Sequence, residues 1–154
     1  MAEADPLRPV DAWLATAIAA LEPAARRTLL NSIARAVRKA NQARITKQVG
    51  PDGTPWTPRK KDRDGRVRKK AKMMLGLRQA RRMAITVTDG DATIGYAGIL
   101  ARIAAVHEFG EVDAVVPGDP AGPKVKYAAR PMLGLAVEDI AFIRRAVLEA
   151  MEGK

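Results

Sequence analysis

The chain predicts an α+β fold, a small antiparallel or mixed sheet flanked by helices, including a long N-terminal helix, with extended loops. Three observations carry this. Apolar residues recur at helical spacing near both ends, an alternating stretch with an Asp-Gly turn lies in the middle, and proline- and glycine-rich breaks separate the two patterns.

The 154 residues, 47% hydrophobic and 29% charged, suit one globular domain over 1–154 with a real core. Val10, Trp13, Leu14, Ala17, Ile18 and Leu21 sit at helical spacing, with Asp11 as a candidate cap near the start. Glu22-Pro23 interrupts that helix, and proline suits the first turn of a second one. The second helix is expected to reach about Gln48, with Leu30, Ile33, Val37 and Ala40 on its apolar face. Arg35, Arg38, Lys39 and Arg44 fall mostly on its wet side. Some 25 residues at 1.5 Å each span roughly 37 Å.

"VGPDGTPWTPRK" then forbids helix and central strand, because three prolines and two glycines fall within it. Residues 50–72 read as a basic loop or arm. Met73, Met74, Leu77 and Ala80 suggest a short helix loosened by Gly76. In "MAITVTDGDATIGYAG", Met83, Ile85 and Val87 alternate with small or polar residues, and Ile94 and Tyr96 alternate on the return, which predicts a β-hairpin. "ILARIAAVHEFG" is helical, with Gly110 as its stop. Residues 111–126 read as a loop with a strand at 112–116, "KVKYAARPML" offers another strand, and a last helix carries Leu133, Val137, Ile140, Val147 and Met151 on one face.

Composition narrows the chemistry. The chain has no cysteine and one histidine, which excludes disulfides, thiolate sites and multi-histidine metal sites, and no cofactor is expected. The longest uncharged stretch near the N-terminus, Ala12–Leu21, is half of what a bilayer requires, so neither a membrane span nor a signal peptide is expected. The net charge of +10 is unevenly placed: residues 59–82 hold 12 basic and 2 acidic side chains, whereas 83–154 hold 7 and 10. Such asymmetry points to a polyanion or an acidic protein surface.

His107 beside Glu108 invites an acid–base reading. On a helix, however, neighbouring side chains diverge by about 100°, and no nucleophile elbow, phosphate loop or metalloprotease motif accompanies them. No enzymatic activity is expected. The basic run "PRKKDRDGRVRKKAK" leaves three readings open: a solvated loop, a loop ordered against an acidic neighbour, or a nucleic-acid footprint over 59–82, the last without a recognition motif and poor in aromatics. Trp56 either plugs the local core or docks into a neighbouring subunit. The Met73–Met74 pair suits a core, and also an adaptable interface.

"PDGTPWTPRK" (51–60), "MMLGLRQARRMAITV" (73–87), "IAAVHEFG" (103–110) and "YAARPMLGL" (127–135), in this order, resemble the phage virion morphogenesis family, the tail completion proteins of Mu-like and related tailed phages. The resemblance implies a structural virion protein that completes the head-proximal end of the tail and allows head–tail joining. It further implies a small α+β fold working as a homo-oligomeric ring, commonly hexameric, in contact with tail tube and neck or connector proteins, and near the DNA end. The implied location is the head–tail joint of the virion, after assembly in the host cytoplasm.

Pro51, Asp52, Gly53 and Trp56 match the loop motif, His107, Phe109 and Gly110 an H-x-F-G element, and Arg130, Pro131 and Leu133 an A-R-P-x-L-G element. Glu108 and Met132 depart from the Gln and Phe of many relatives. Trp56, Arg59, Lys60, Lys61, Arg66, Arg68, Lys69, Lys70 and Lys72 are the candidate interface residues.

Overall fold

The computed structural model of the chain describes residues 8–60, 72–116 and 118–153. Its elements are α1 (Arg8–Ala19), α2 (Pro23–Lys47), β1 (Ala84–Val87), β2 (Ala92–Gly95), α3 (Gly98–Phe109), β3 (Val112–Ala114), β4 (Lys124–Lys126) and α4 (Val137–Met151). Two small sheets form, β1 with β2 and β3 with β4, which makes the fold α+β. The chain groups into two compact units, one of residues 1–37, 85–93 and 137–154, the other of 38–84 and 94–136.

In the first unit α1 packs on α4. The buried apolar residues are Ala17 of α1, Leu29, Leu30, Ile33, Ala34 and Val37 of α2, and Ile143 and Val147 of α4. Their i, i+3, i+4 spacing on α2 is the apolar stripe that its sequence predicts. The corner between α1 and α2 is held by Arg26, whose guanidinium donates to the carbonyls of Ala19 (3.1 Å) and Leu21 (2.8 Å). These carbonyls lie where the helix runs out of its own amide partners. Arg26 and Arg27 also reach the hairpin turn, at the Asp89 carbonyl (3.1 Å) and the Asp89 carboxylate respectively. In that turn the Thr88 hydroxyl accepts the amides of Gly90 and Asp91, so the Asp-Gly signal marks a real hairpin.

Two expectations need correction here. α1 already includes Arg8, which puts Asp11 inside the helix rather than at its cap; the side chain of Val10 lies outside the described residues. On α4 the buried line is Asp139, Ile143 and Val147, while Val137 and Met151 of the predicted face are exposed, 79% and 50%. Leu133 precedes the helix altogether. Extending the helical period back through the Gly134 break rotated the predicted face.

The second unit is built on a cluster of Ile45, Trp56, Met73, Leu77, Met83, Ala104 and Met132, with Met74, Ile94, Tyr96, Leu100 and Leu133 packed around it. Two further corrections fall in this unit. Residues 73–80 are a run of turns, not a helix; Met74 has φ +60°, in the left-handed region that interrupts a right-handed helix. Arg44 is not on the wet side: its guanidinium is half-buried and donates to Asn41 Oδ1 (2.7 Å) and to the Gly134 carbonyl (3.0 Å). The predicted strand at 112–116 shortens to Val112–Ala114 and pairs antiparallel with Lys124–Lys126, Asp113 opposite Val125.

Candidate interaction site

The site grows from a loop that turns back on itself. Val49 bridges Pro55, the Gly50 amide donates to the Thr54 carbonyl (2.9 Å), and the Trp56 amide donates to the Gln48 carbonyl (2.8 Å). Inside it the Asp52 carboxylate accepts the Thr54 amide (2.9 Å) and hydroxyl (2.7 Å), which holds its carboxyl below the usual carboxylate range. Asp52 thereby closes the turn that Pro-Asp-Gly initiates, and Gly53 supplies the φ of +80°. Of the two roles open to Trp56, its ring takes the core one: it is 6% exposed and its Nε1 donates to the Pro131 carbonyl (3.1 Å). Residues 50–58 are thus a tied-down loop rather than an arm.

Arg130 fastens the same loop from the other side. Its Nε donates to the Thr57 carbonyl (3.0 Å), its Nη2 to the Pro58 carbonyl (3.3 Å), and its backbone amide to the His107 carbonyl (2.6 Å). Arg130 is buried, and desolvation, reinforced by the neighbouring Arg59 charge, pulls its pKa below the usual arginine value.

α3 ends where the sequence says. Gly110 adopts φ 70°, ψ 46°, and its own amide and that of Glu111 both return to the Val106 carbonyl, the wrap that closes many helices on a left-handed glycine. Space demands glycine as well, since a Cβ there would lie 2.9 Å from the Ala129 amide nitrogen.

His107 and Glu108 point to different neighbours. The imidazole meets the Tyr127 ring edge-on, centroids 4.9 Å apart; burial, and then the Arg130 charge, lower its pKa. The strand expected over "KVKYAARPML" ends at Lys126, and the Glu108 carboxylate turns to the irregular segment beyond it, where one oxygen accepts the amides of Met132 (2.7 Å) and Leu133 (3.2 Å). Burial pushes the Glu108 pKa up, and those two amides oppose the shift. The pair therefore ties three segments together and does not converge on a common point. Tyr96, also half-buried, has its hydroxyl pushed up to about 12 by desolvation and by the Glu108 charge.

Beside this knot lies a groove of about 530 Å³, with Met73, His107, Val125 and Tyr127 among its lining and Arg59, Lys60 and Lys126 along it. Lys72 is exposed and donates to the Thr46 carbonyl (2.7 Å). Lys61, Arg66, Arg68, Lys69 and Lys70 lie outside the described residues. Among the described residues no group of three His, Cys, Asp or Glu side chains could hold a metal, and no helix is long and apolar enough to cross a membrane.

Residues 5–152 match the sequence model of the phage virion morphogenesis family. The chain belongs to that family. It is also 35% identical over 140 residues to tail completion protein S of Escherichia phage P2, an alignment covering 88% of this chain and 90% of that protein. No solved structure matches it. In this member of the virion morphogenesis family, the segments that carry the family resemblance converge on one knot: Pro51 packs where a Cβ on Gly134 would come within 2.5 Å of its ring, Trp56 reaches Pro131, and Arg130 joins His107 to Thr57. Phe109 of the H-x-F-G element projects outward, 72% exposed.

Sequence reasoning missed two things here. The acceptor role of Glu108 depends on a partner 24 residues away in the chain, beyond the reach of any local pattern. Tyr127 and Val125 became groove residues through the β3–β4 pairing, and the only available signal was an aromatic beside an Ala-Ala-Arg-Pro run.

Proposed function

We propose that this protein completes the head-proximal end of a phage tail and lets the tail join the filled head, working as one subunit of a ring, six-fold by preference. The observation that carries the reading is the 35% identity to a tail completion protein across nine-tenths of that protein's length. The knot of motif segments supports it: a subunit that must present surfaces to neighbours benefits from loops fixed by buried hydrogen bonds rather than free to rearrange. Partners in this reading are the tail tube and neck or connector proteins, and the basic stretch from Arg59 to Lys72 meets an acidic neighbour or the DNA end. No reaction is assigned to His107 and Glu108, whose side chains hold different parts of the fold.

Electron microscopy of lysates from a phage lacking the gene tests the proposal. Filled heads beside separate tails, some of abnormal length, are the expected picture. Intact joined particles would overturn it.

A further inference from the structure

Two surfaces on the second unit complement each other but lie on opposite sides of one helix. His107 of α3 lines the groove described above, whereas Phe109, two residues on, is turned by roughly 200° about the helix axis. Phe109 is 72% exposed, the most exposed aromatic among the described residues. With Ala101, Ala104, Ala105 and Leu133 it lines a hollow that also includes Tyr96 and the acid Glu108, so the outer face of α3 carries a largely apolar surface with a projecting ring.

Charge separates the two surfaces as well. Among the described residues, Arg59, Lys60, Lys126 and Arg130 line the groove and no carboxylate does. Around the projecting ring the balance is reversed. Glu111 follows Phe109 directly after the Gly110 turn and is exposed, and Arg102, two turns earlier on the same side of α3, is paired with Asp113 at 2.6 Å. A surface aromatic flanked by an acid fits an apolar groove edged by cations. Large exposed aromatics of this kind are the usual anchors of protein interfaces.

We propose that the groove of one copy of this protein receives Phe109 of the next copy, with Glu111 set against Arg59, Lys60 and Lys126. Because knob and groove are different surfaces of the same chain, the contact is head-to-tail, and repetition builds a ring or a filament rather than a closed two-fold dimer. The proposal rests on the ring reading above and supplies its contact. The volume of about 530 Å³ accommodates a phenyl side chain, and an incoming acid offsets the repulsion among the clustered cations.

Sedimentation of the full chain with two variants decides the matter. Phe109→Asp removes the knob and leaves the groove. Thr57→Trp fills the groove from an exposed lining position and leaves the knob. Wild-type protein is expected to self-associate, and each variant alone to weaken that association by about thirtyfold, as for a principal anchor residue. The two variants mixed are expected to pair into a species of two chains, because one intact knob can still enter one intact groove. That pairing cannot come from misfolded protein.

A wild-type chain that stays at its monomer mass of 16.6 kDa at all concentrations would overturn the ring reading together with its contact. Wild-type oligomers that persist unchanged in Phe109→Asp, or variants that stay monomeric when mixed, would leave the ring standing and overturn the contact proposed here. In that case the groove serves a different protein.

Discussion

Removing the Glu108 carboxylate tests the knot most directly. In Glu108→Ala the amides of Met132 and Leu133, now satisfied at 2.7 and 3.2 Å, lose their acceptor in a half-buried setting next to fully buried Met132. Hydrogen bonds to a charged group contribute about 1.5–3 kcal/mol each. Against that stands the desolvation of the carboxylate, which the raised pKa reports as the dominant effect on its ionisation and which the substitution relieves. The expected net loss is about 2–4 kcal/mol, read as a lower urea midpoint at unchanged slope. Glu108→Gln retains a carbonyl oxygen for the same two amides and sheds the buried charge, so it should cost under about 1 kcal/mol. The two variants also differ in pH response. A carboxyl whose folded pKa lies above its ordinary 4.5 binds more protons folded than unfolded between those values, so its contribution to stability falls as pH rises through that window. Glu108→Gln should abolish that slope. Equal damage from the two substitutions would refute the acceptor role and leave only a packing role for the side chain.

Three further outcomes follow from the same geometry. Gly110→Ala should lose more than about 2 kcal/mol, since the left-handed conformation costs roughly 1–2 kcal/mol for a residue with a Cβ and the Ala129 backbone stands in its way; Gly110→Asn, tolerant of that conformation, should recover little, and thermal melts of both would show it. Trp56→Phe keeps most of the buried ring but leaves the Pro131 carbonyl without its donor, for about 1 kcal/mol, whereas Trp56→Ala should cost about 3–5 kcal/mol by chemical denaturation. His107 has a folded pKa below its ordinary 6.5, so it releases its proton on folding; stability should rise with pH toward 6.5 and fall as pH drops through the folded value, and His107→Gln should flatten that part of the profile.

What the sequence announces well is what adjacent residues decide. Pro23 starts α2, Gly110 stops α3, and Asp89-Gly90 turns the hairpin, each because a local backbone requirement selects the residue type. The α+β class follows from those signals alone. At residues 73–80 apolar spacing predicts a helix but says nothing about a left-handed Met74, beside which the Met73 amide donates to Gln48 Oε1 at 2.7 Å. The shifted face of α4 and the burial of Arg44 have the same origin, since each depends on what the rest of the chain brings alongside. In the candidate site, the motif residues Pro51, Trp56, His107 and Arg130 could be named in advance, but not that they touch one another. Glu108, noted in the sequence as a departure from many relatives, proved to be the residue that holds the Met132–Leu133 backbone.

The anchoring of Pro58 and Lys72 has a consequence for the chain's capacity to change. On one side of the basic stretch the Pro58 carbonyl is fixed by Arg130, and on the other Lys72 and Met73 are fixed to Thr46 and Gln48 of the α2 end. Arg130 and Lys72 each donate to main-chain carbonyls, and a carbonyl is present whatever side chain its residue carries. Substitutions at Thr57, Pro58 or Thr46 therefore keep these acceptors in place, whereas loss of Arg130 removes the side-chain donor of two of them. The chain can thus drift on the acceptor side of these contacts while the donor side stays fixed.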